Sequence, residues 1–272
     1  MTTPMTGRPD ADDATREGHP SRRMFLGLGA AAALPLTTEG RLRPIEGAPT
    51  RSDTPAAQPA GAERLRGVPA TLLCDALTRL GHDRARFTLA NNVRPTVATE
   101  GTIIGPAVTT QYAPGSGGSA DDIRRFVFDP VDTAPAGSVW VIESGTTERV
   151  SMLGELIVVA CRQRGLAGIV TDSGCRDIEA IGRLELPLFS TGTVLYGPGA
   201  VIHPVAANVP VTCGGAVIRP GDLVAADVDG ALVVPVEAID EVARLVEELQ
   251  GKEDATRADL VRGASLRDAY QF

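Results

Sequence analysis

Residues 154–177 read GELIVVACRQRGLAGIVTDSGCRD, and the order of groups in this stretch predicts the architecture around it. Glu155 stands at the start of a predicted helix, and the adjacent pair Arg176 and Asp177 follows the next predicted strand. Twenty residues separate Glu155 from Arg176, about the length of a helix, a tight turn and a strand. Since a crossover connection returns the chain to the same edge of a sheet, we expect these side chains to meet.

The flanking sequence predicts a β-α-β unit within an α/β domain. Residues 138–143 and 167–171 are apolar and predict strands, and residues 150–164 between them predict a helix that Gly165 ends. Further helices are predicted over 68–80, 236–249 and 255–266, and further strands over 101–111, 187–190, 209–213, 216–218, 223–227 and 231–235. The expected fold class is therefore α/β, with mixed sheets flanked by helices.

The N-terminal part of the chain has the composition of a targeting segment and a tether. Residues 1–36 contain Arg22 and Arg23 followed by an apolar run of 13 residues, which is typical of a twin-arginine signal and too short to span a bilayer. Residues 37–62 predict a flexible linker, which leaves 63–272 as one folded domain. We expect export to the periplasm or the exterior, with no stable membrane anchor after processing; a chance arginine pair in a disordered terminus is the alternative.

Charge and cysteine content argue against several classes of protein. The net charge is −8, and no basic stripe with interleaved aromatic residues occurs, so a nucleic-acid partner is not expected. The cysteines are Cys74, Cys161, Cys175 and Cys213, and none forms a CxxC pair typical of structural zinc. Cys175 beside Arg176 leaves a nucleophilic cysteine open, although no histidine lies near it in sequence.

The carboxylates and the guanidinium of residues 154–177 suit a divalent cation and an anionic substrate. Asp177 is a hard ligand for Mg²⁺ or Mn²⁺, and Glu155 can reach such an ion through water. Arg176 can bind a carboxylate in bidentate fashion, and the N–H groups of Glu155, Leu156 and Ile157 at the helix start can bind one too. This pattern favours a metal-assisted lyase acting on a small keto acid. Macrodipole compensation by Glu155 and a surface ion pair are the structural alternatives.

Four blocks of the chain resemble the RraA-like family, whose members include 4-hydroxy-4-methyl-2-oxoglutarate aldolases and the ribonuclease regulator A proteins. These blocks are residues 71–81, 154–177 and 208–235 and the pair Lys252-Glu253. The resemblance implies the swivelling β/β/α fold and a homotrimer or a hexamer with active sites at subunit interfaces. It also implies Mg²⁺-dependent (or Mn²⁺-dependent) retro-aldol cleavage of a 4-hydroxy-2-oxo acid to pyruvate, with oxaloacetate decarboxylation as a side activity.

The same resemblance implies a role for each site residue. Arg176 would bind the keto acid and its enolate, Asp177 would ligate the metal, and Glu155 would hold metal-bound water. The substrate would contact the helix start at Gly154, Glu155, Leu156 and Ile157, together with Arg176. Glu253 of a neighbouring subunit would take part in proton transfer.

The chain also departs from the family pattern. Residues 144–147 (SGTT) stand where relatives have a Gly-rich turn, Thr191 stands where many have Arg, and Val205-Ala206 stand where many have Gly-Glu. We expect these positions to shape the distal half of the substrate. A non-enzymatic binding protein, like the regulator members, is the alternative function. Methyl transfer has no support, because no GxGxxG loop joins a strand to a helix.

Overall fold

The computed structural model describes residues 61–97, 100–199 and 201–270. The helices are α1 (Gly61–Arg64), α2 (Ala70–Arg79), α3 (Arg84–Phe87), α4 (Ala120–Ile123), α5 (Asp129–Thr133), α6 (Glu155–Gln163), α7 (Ile178–Gly182), α8 (Ile239–Val261) and α9 (Leu266–Ala269), with a π-helical turn at Arg124–Phe128 and a 3₁₀ turn at Val236–Ala238. The strands are β1 (Arg94–Val97), β2 (Ile103–Pro114), β3 (Val139–Glu143), β4 (Gly168–Thr171), β5 (Leu188–Ser190), β6 (Ile202–Ala207), β7 (Val211–Cys213), β8 (Ala216–Ile218), β9 (Leu223–Asp227) and β10 (Gly230–Val234).

The predicted signal segment, residues 1–36, and the linker up to residue 60 lie outside the described residues. Gly61 and Ala62, at the end of the predicted linker, belong to α1. Among the helices of the described residues, none combines the length and the apolar character that crossing a bilayer requires.

A mixed sheet of eight strands forms the framework of the described residues, as the α/β prediction requires. The strand order is β1-β5-β4-β3-β2-β9-β10, and β6 also pairs with β2. The four strands β2 to β5 run parallel, while β1, β6, β9 and β10 join antiparallel. The long strand β2 holds the sheet together, because its first residues pair with β9 and its last residues pair with β6.

Side chains of the central strands alternate between two apolar cores, since successive strand residues point to opposite faces. Val139 and Val141 of β3 pack with α2, α8, β9 and β10. Trp140 and Ile142 of β3 pack with α5, α6 and α7. Both faces of the parallel strands are therefore covered, which explains their near-continuous apolar sequence.

Three predicted helices differ from the structure at their ends. The helix predicted over 150–164 begins only at Glu155, because residues 150–153 are extended and pair with the segment at Gly174. The C-terminal helices predicted over 236–249 and 255–266 are mostly one helix, α8, which runs on to Val261.

Candidate active site

Three extended segments lie side by side just beyond the carboxyl ends of β3, β4 and β5. They are residues 150–153, 173–176 and 192–194, and we call them the loop ladder. Ser151 pairs in parallel with Gly174, and Cys175 pairs in parallel with Thr193. Since parallel strands end at one edge of a sheet, the loop ladder extends that edge into a platform for polar side chains.

The start of α6 and the Asp177 side chain meet at the end of the loop ladder. The backbone N–H of Glu155 donates to Asp177 Oδ2 at 3.2 Å. Gly154 precedes the helix in an extended conformation, and a Cβ there would stand 3.2 Å from Arg176 Nε and closer still to Asp177 Oδ2. The sequence therefore needs Gly154 because the Arg176–Asp177 pair packs against its α-carbon.

Arg176 and Asp177 form an open pair rather than a tight ion pair. Arg176 Nε lies 3.7 Å from Asp177 Oδ2, and the two side chains are 43% and 47% exposed. They open onto a cleft of about 200 Å³. The cleft is lined by Cys175, Arg176, Asp177, Ile178, Thr193, Val194 and Leu195. Both charged groups are therefore accessible to a small anionic ligand.

Asp177 adopts a left-handed backbone conformation, with φ of 60°. Aspartate is one of the few residues other than glycine that visits this region, and such positions cluster at functional sites. The turn places Asp177 immediately before α7 and aims its carboxylate back at the start of α6.

A single accessible carboxylate such as that of Asp177 fits the way in which proteins bind Mg²⁺. In the part of the chain that the structure describes, Asp177 Oδ1 has no hydrogen-bond partner, and no group of three or more His, Cys, Asp or Glu side chains converges. Mg²⁺ keeps several waters and often takes only one or two protein carboxylates, with the substrate completing the shell. Asp177 is the one carboxylate among the described residues that line the cleft.

The predicted cradle of three N–H groups is wrong in one respect. The N–H of Glu155 is already bonded to Asp177 and is not available to a substrate. Within the described residues, no acceptor contacts the N–H of Leu156 or Ile157. The side chain of Leu156 is 70% exposed, while Ile157 packs against the core.

Glu253 is not brought to this site within one chain. It lies in the exposed second half of α8, it does not line the cleft, and in the described residues its side chain forms no hydrogen bond or ion pair. Its neighbour Lys252 binds Glu248 one turn earlier.

Cys175 is not suited to nucleophilic attack. Its side chain is fully buried beneath the loop ladder, with Sγ 3.3 Å from Ser190 Oγ. Burial raises the pKa of the thiol above its usual value, so little thiolate forms near neutral pH. The alternative of a reactive cysteine is therefore contradicted by its surroundings.

Sequence reasoning missed the third wall of the cleft, residues 193–195. This segment carries no motif. Its weak signals are Gly192, which has φ of +119°, and Leu195, whose side chain is 92% exposed.

The fold and this site define an RraA-like protein. The family model described as Aldolase/RraA matches residues 70–233, and the chain belongs to that family. A protein of Halalkalibacterium halodurans, provisionally named a 4-hydroxy-4-methyl-2-oxoglutarate aldolase, is 30% identical over 197 residues, which cover 71% of this chain and 84% of that one.

Two crystal structures resemble the chain closely. An uncharacterised protein from Pseudomonas syringae pv. tomato has a TM-score of 0.68 and 25% identity, over 79% of this chain and 99% of that one. Streptomyces coelicolor RraAS2, described as an unusual member of the RNase ES inhibitor RraA protein family, has a TM-score of 0.65 and 30% identity, over 75% and 99% respectively. The names of these relatives therefore include both an aldolase and an inhibitor.

Proposed function

We propose that this protein is a divalent-metal-dependent carbon–carbon lyase that cleaves a 4-hydroxy-2-oxo acid, of the 4-hydroxy-4-methyl-2-oxoglutarate type, to pyruvate. The observation that carries the proposal is that Arg176 and Asp177 open onto one cleft while the start of α6 is hydrogen-bonded to Asp177. The guanidinium can bind an anionic substrate. The carboxylate, which has one oxygen without a partner, can bind the cation that the reaction of such a substrate requires. Oxaloacetate decarboxylation is the expected side activity, because it passes through the same pyruvate enolate.

The residues of the chain would divide the work between binding and proton transfer. In retro-aldol cleavage the 4-hydroxyl gives its proton to a base and C4 becomes the carbonyl carbon of the second product. The C3–C4 bond breaks, its electron pair moves into the enolate of pyruvate, and the protonated base then returns a proton to C3. Arg176 would bind the carboxylate of the oxo acid and stabilise the charge on the enolate oxygen. Asp177 would hold Mg²⁺ or Mn²⁺, which supplies Lewis-acid polarisation of the carbonyl when bound. Glu155, one helix position from Gly154, would hold water beside the cleft.

A neighbouring subunit is needed to complete this arrangement. Leu195 and Tyr196 beside the cleft are 92% and 60% exposed, which is unusual for large apolar groups next to an active site. Glu253 lies in the exposed second half of α8 and does not line the cleft of its own subunit. We therefore propose a homotrimer or a hexamer in which Glu253 of one subunit serves the cleft of the next. We also propose export, on the pattern of residues 1–36.

The second candidate is a non-enzymatic regulator that binds another protein. The likeness to the S. coelicolor protein, at a TM-score of 0.65, is the observation that favours it. A regulator has no need of an accessible cation ligand, so the retained Asp177 supports the enzyme.

The test is a panel of 4-hydroxy-2-oxo acids and oxaloacetate, assayed for release of pyruvate or CO₂ with Mg²⁺, with Mn²⁺ and with a chelator. Arg176→Ala and Asp177→Ala should each lower turnover at least ~100-fold, as loss of one preorganised charge-stabilising group does. Arg183→Ala is the matched control, because Arg183 forms an exposed ion pair with Glu179 in α7. Full activity in both site variants, or activity that survives the chelator, would contradict the proposal. A protein silent on the whole panel that captures one protein partner would favour the regulator.

A further inference from the structure

A second guanidinium lies on the same platform as Arg176. Arg149 immediately precedes the first segment of the loop ladder, and its side chain crosses the middle segment to the third. Its Nη2 donates to the carbonyl oxygen of Thr191 at 3.0 Å. A Cβ on Gly192 would stand 2.9 Å from the same nitrogen, so the guanidinium rests directly on that glycine.

The hydrogen bonds of the loop ladder set the backbone register between Arg176 and Gly192, the residue on which the Arg149 guanidinium rests. Cys175 is level with Thr193, because its N–H donates to the Gly192 carbonyl and its carbonyl accepts from Val194. Gly192 is therefore level with Gly174, two positions before Arg176. Two positions along an extended segment span about 7 Å. The backbone positions beneath the two side chains are therefore separated by a distance comparable with the length of a five-carbon oxo diacid.

Most N–H donors of the Arg149 guanidinium have no acceptor among the described residues. In the described residues its one polar contact is the Thr191 carbonyl, and it has no carboxylate partner. Other exposed arginines of the chain, such as Arg164 and Arg183, are paired with Asp132 and Glu179. A guanidinium has five N–H donors in a planar fork, and a carboxylate is the group that fork matches best.

We propose that Arg149 binds the distal carboxylate of the substrate and makes the cleft selective for dicarboxylic over monocarboxylic 2-oxo acids. The inference rests on the proposed function, in which Arg176 binds the carboxylate next to the oxo group. Thr193, which lines the cleft, is adjacent to Gly192, so the third segment joins the cleft to the residue on which the Arg149 guanidinium rests.

The test compares two ligands that differ only in the distal carboxylate. Calorimetry on the full chain with Mg²⁺ measures binding of 2-oxoglutarate and of 2-oxopentanoate to the wild type, Arg149→Met and Arg149→Lys. We expect the wild type to prefer 2-oxoglutarate. Arg149→Met should weaken the binding of 2-oxoglutarate about tenfold or more and change the affinity for 2-oxopentanoate by no more than about twofold. The reason is that a charged hydrogen bond is lost for 2-oxoglutarate only. For Arg149→Lys, the affinity for 2-oxoglutarate should lie between those of the wild type and Arg149→Met, because lysine keeps the positive charge but lacks the planar set of N–H donors.

The matched control is Arg162→Met, because Arg162 is exposed and also contacts one backbone carbonyl, that of Leu184 at 3.1 Å, but on α6. It should bind both ligands as the wild type does. Equal weakening of both ligands in Arg149→Met would assign Arg149 a purely structural role and overturn the proposal. So would a wild type with no preference, or one that binds neither ligand. Selective binding without pyruvate release would instead refute the proposed reaction and leave the Arg149 assignment standing.

Discussion

Replacing Gly154 by alanine tests the site without touching any charged group. Gly154 is extended, with φ of −133°, so an alanine meets no backbone strain there. The new methyl group would instead fall against Asp177 Oδ2 and stand 3.2 Å from Arg176 Nε. Normal van der Waals separation requires the Asp177 carboxylate to move by about 1 Å.

The expected loss of activity is much larger than the loss of stability. A misplacement of about 1 Å in a catalytic group costs about 100-fold in turnover. The displaced carboxylate loses its bond from the Glu155 N–H, about 1 kcal/mol, while alanine gains about 0.4–1 kcal/mol by restricting the unfolded chain. Net stability should thus change by less than about 1 kcal/mol, which is less than about 4 °C in Tm for a domain of this size.

The assay is metal-dependent pyruvate release, measured alongside thermal unfolding. Gly182→Ala is the control, because a Cβ on this glycine at the end of α7 meets nothing within 4 Å. The control should keep wild-type turnover and gain slightly in Tm. Wild-type turnover in Gly154→Ala would refute the reasoning, because the position of Asp177 would then be irrelevant. A collapse of Tm in Gly154→Ala would show that the methyl group disturbs the fold rather than the site.

Three further results are expected. Asp177→Asn should abolish metal-dependent turnover while Tm stays within a few degrees, because asparagine tolerates the left-handed backbone at φ of 60°; activity near wild type would exclude Asp177 as the cation ligand. At pH 8 a thiol reagent should label Cys74, which is partly exposed, much faster than Cys175, whose thiol pKa is raised by burial; rapid labelling of Cys175 would revive the nucleophile hypothesis. Asp227→Ala should cost about 2–3 kcal/mol and lower Tm by about 5–10 °C, because the buried carboxylate caps α2 by accepting from the Ala70 N–H at 2.8 Å; an unchanged Tm would contradict that role.

Local signals in the sequence predicted the framework of the domain well. Apolar periodicity located β3, α6 and β4, and turn residues located the short strands from β7 to β10. The separation of Glu155 from Arg176 then predicted that the two ends of residues 154–177 meet. The structure confirms that the two ends meet, because the backbone N–H of Glu155 donates to the Asp177 carboxylate, although in the described residues the Glu155 side chain itself makes no polar contact there.

The strands that the sequence did not predict are those whose structure depends on distant partners. β1 and β6 carry weak local patterns and exist because they pair with β5 and β2. Residues 150–153 look helical in sequence and become extended because they pair across the loop ladder.

By itself, the sequence determined the α/β class and the identity of the groups at the site, because periodicity, helix caps and crossover length are properties of short stretches. Only the tertiary structure decided that Asp177 accepts a hydrogen bond from the Glu155 N–H, that Cys175 is buried and that the Arg149 side chain reaches Gly192. Those outcomes depend on the register of three segments far apart in the chain, and packing across the whole sheet sets that register.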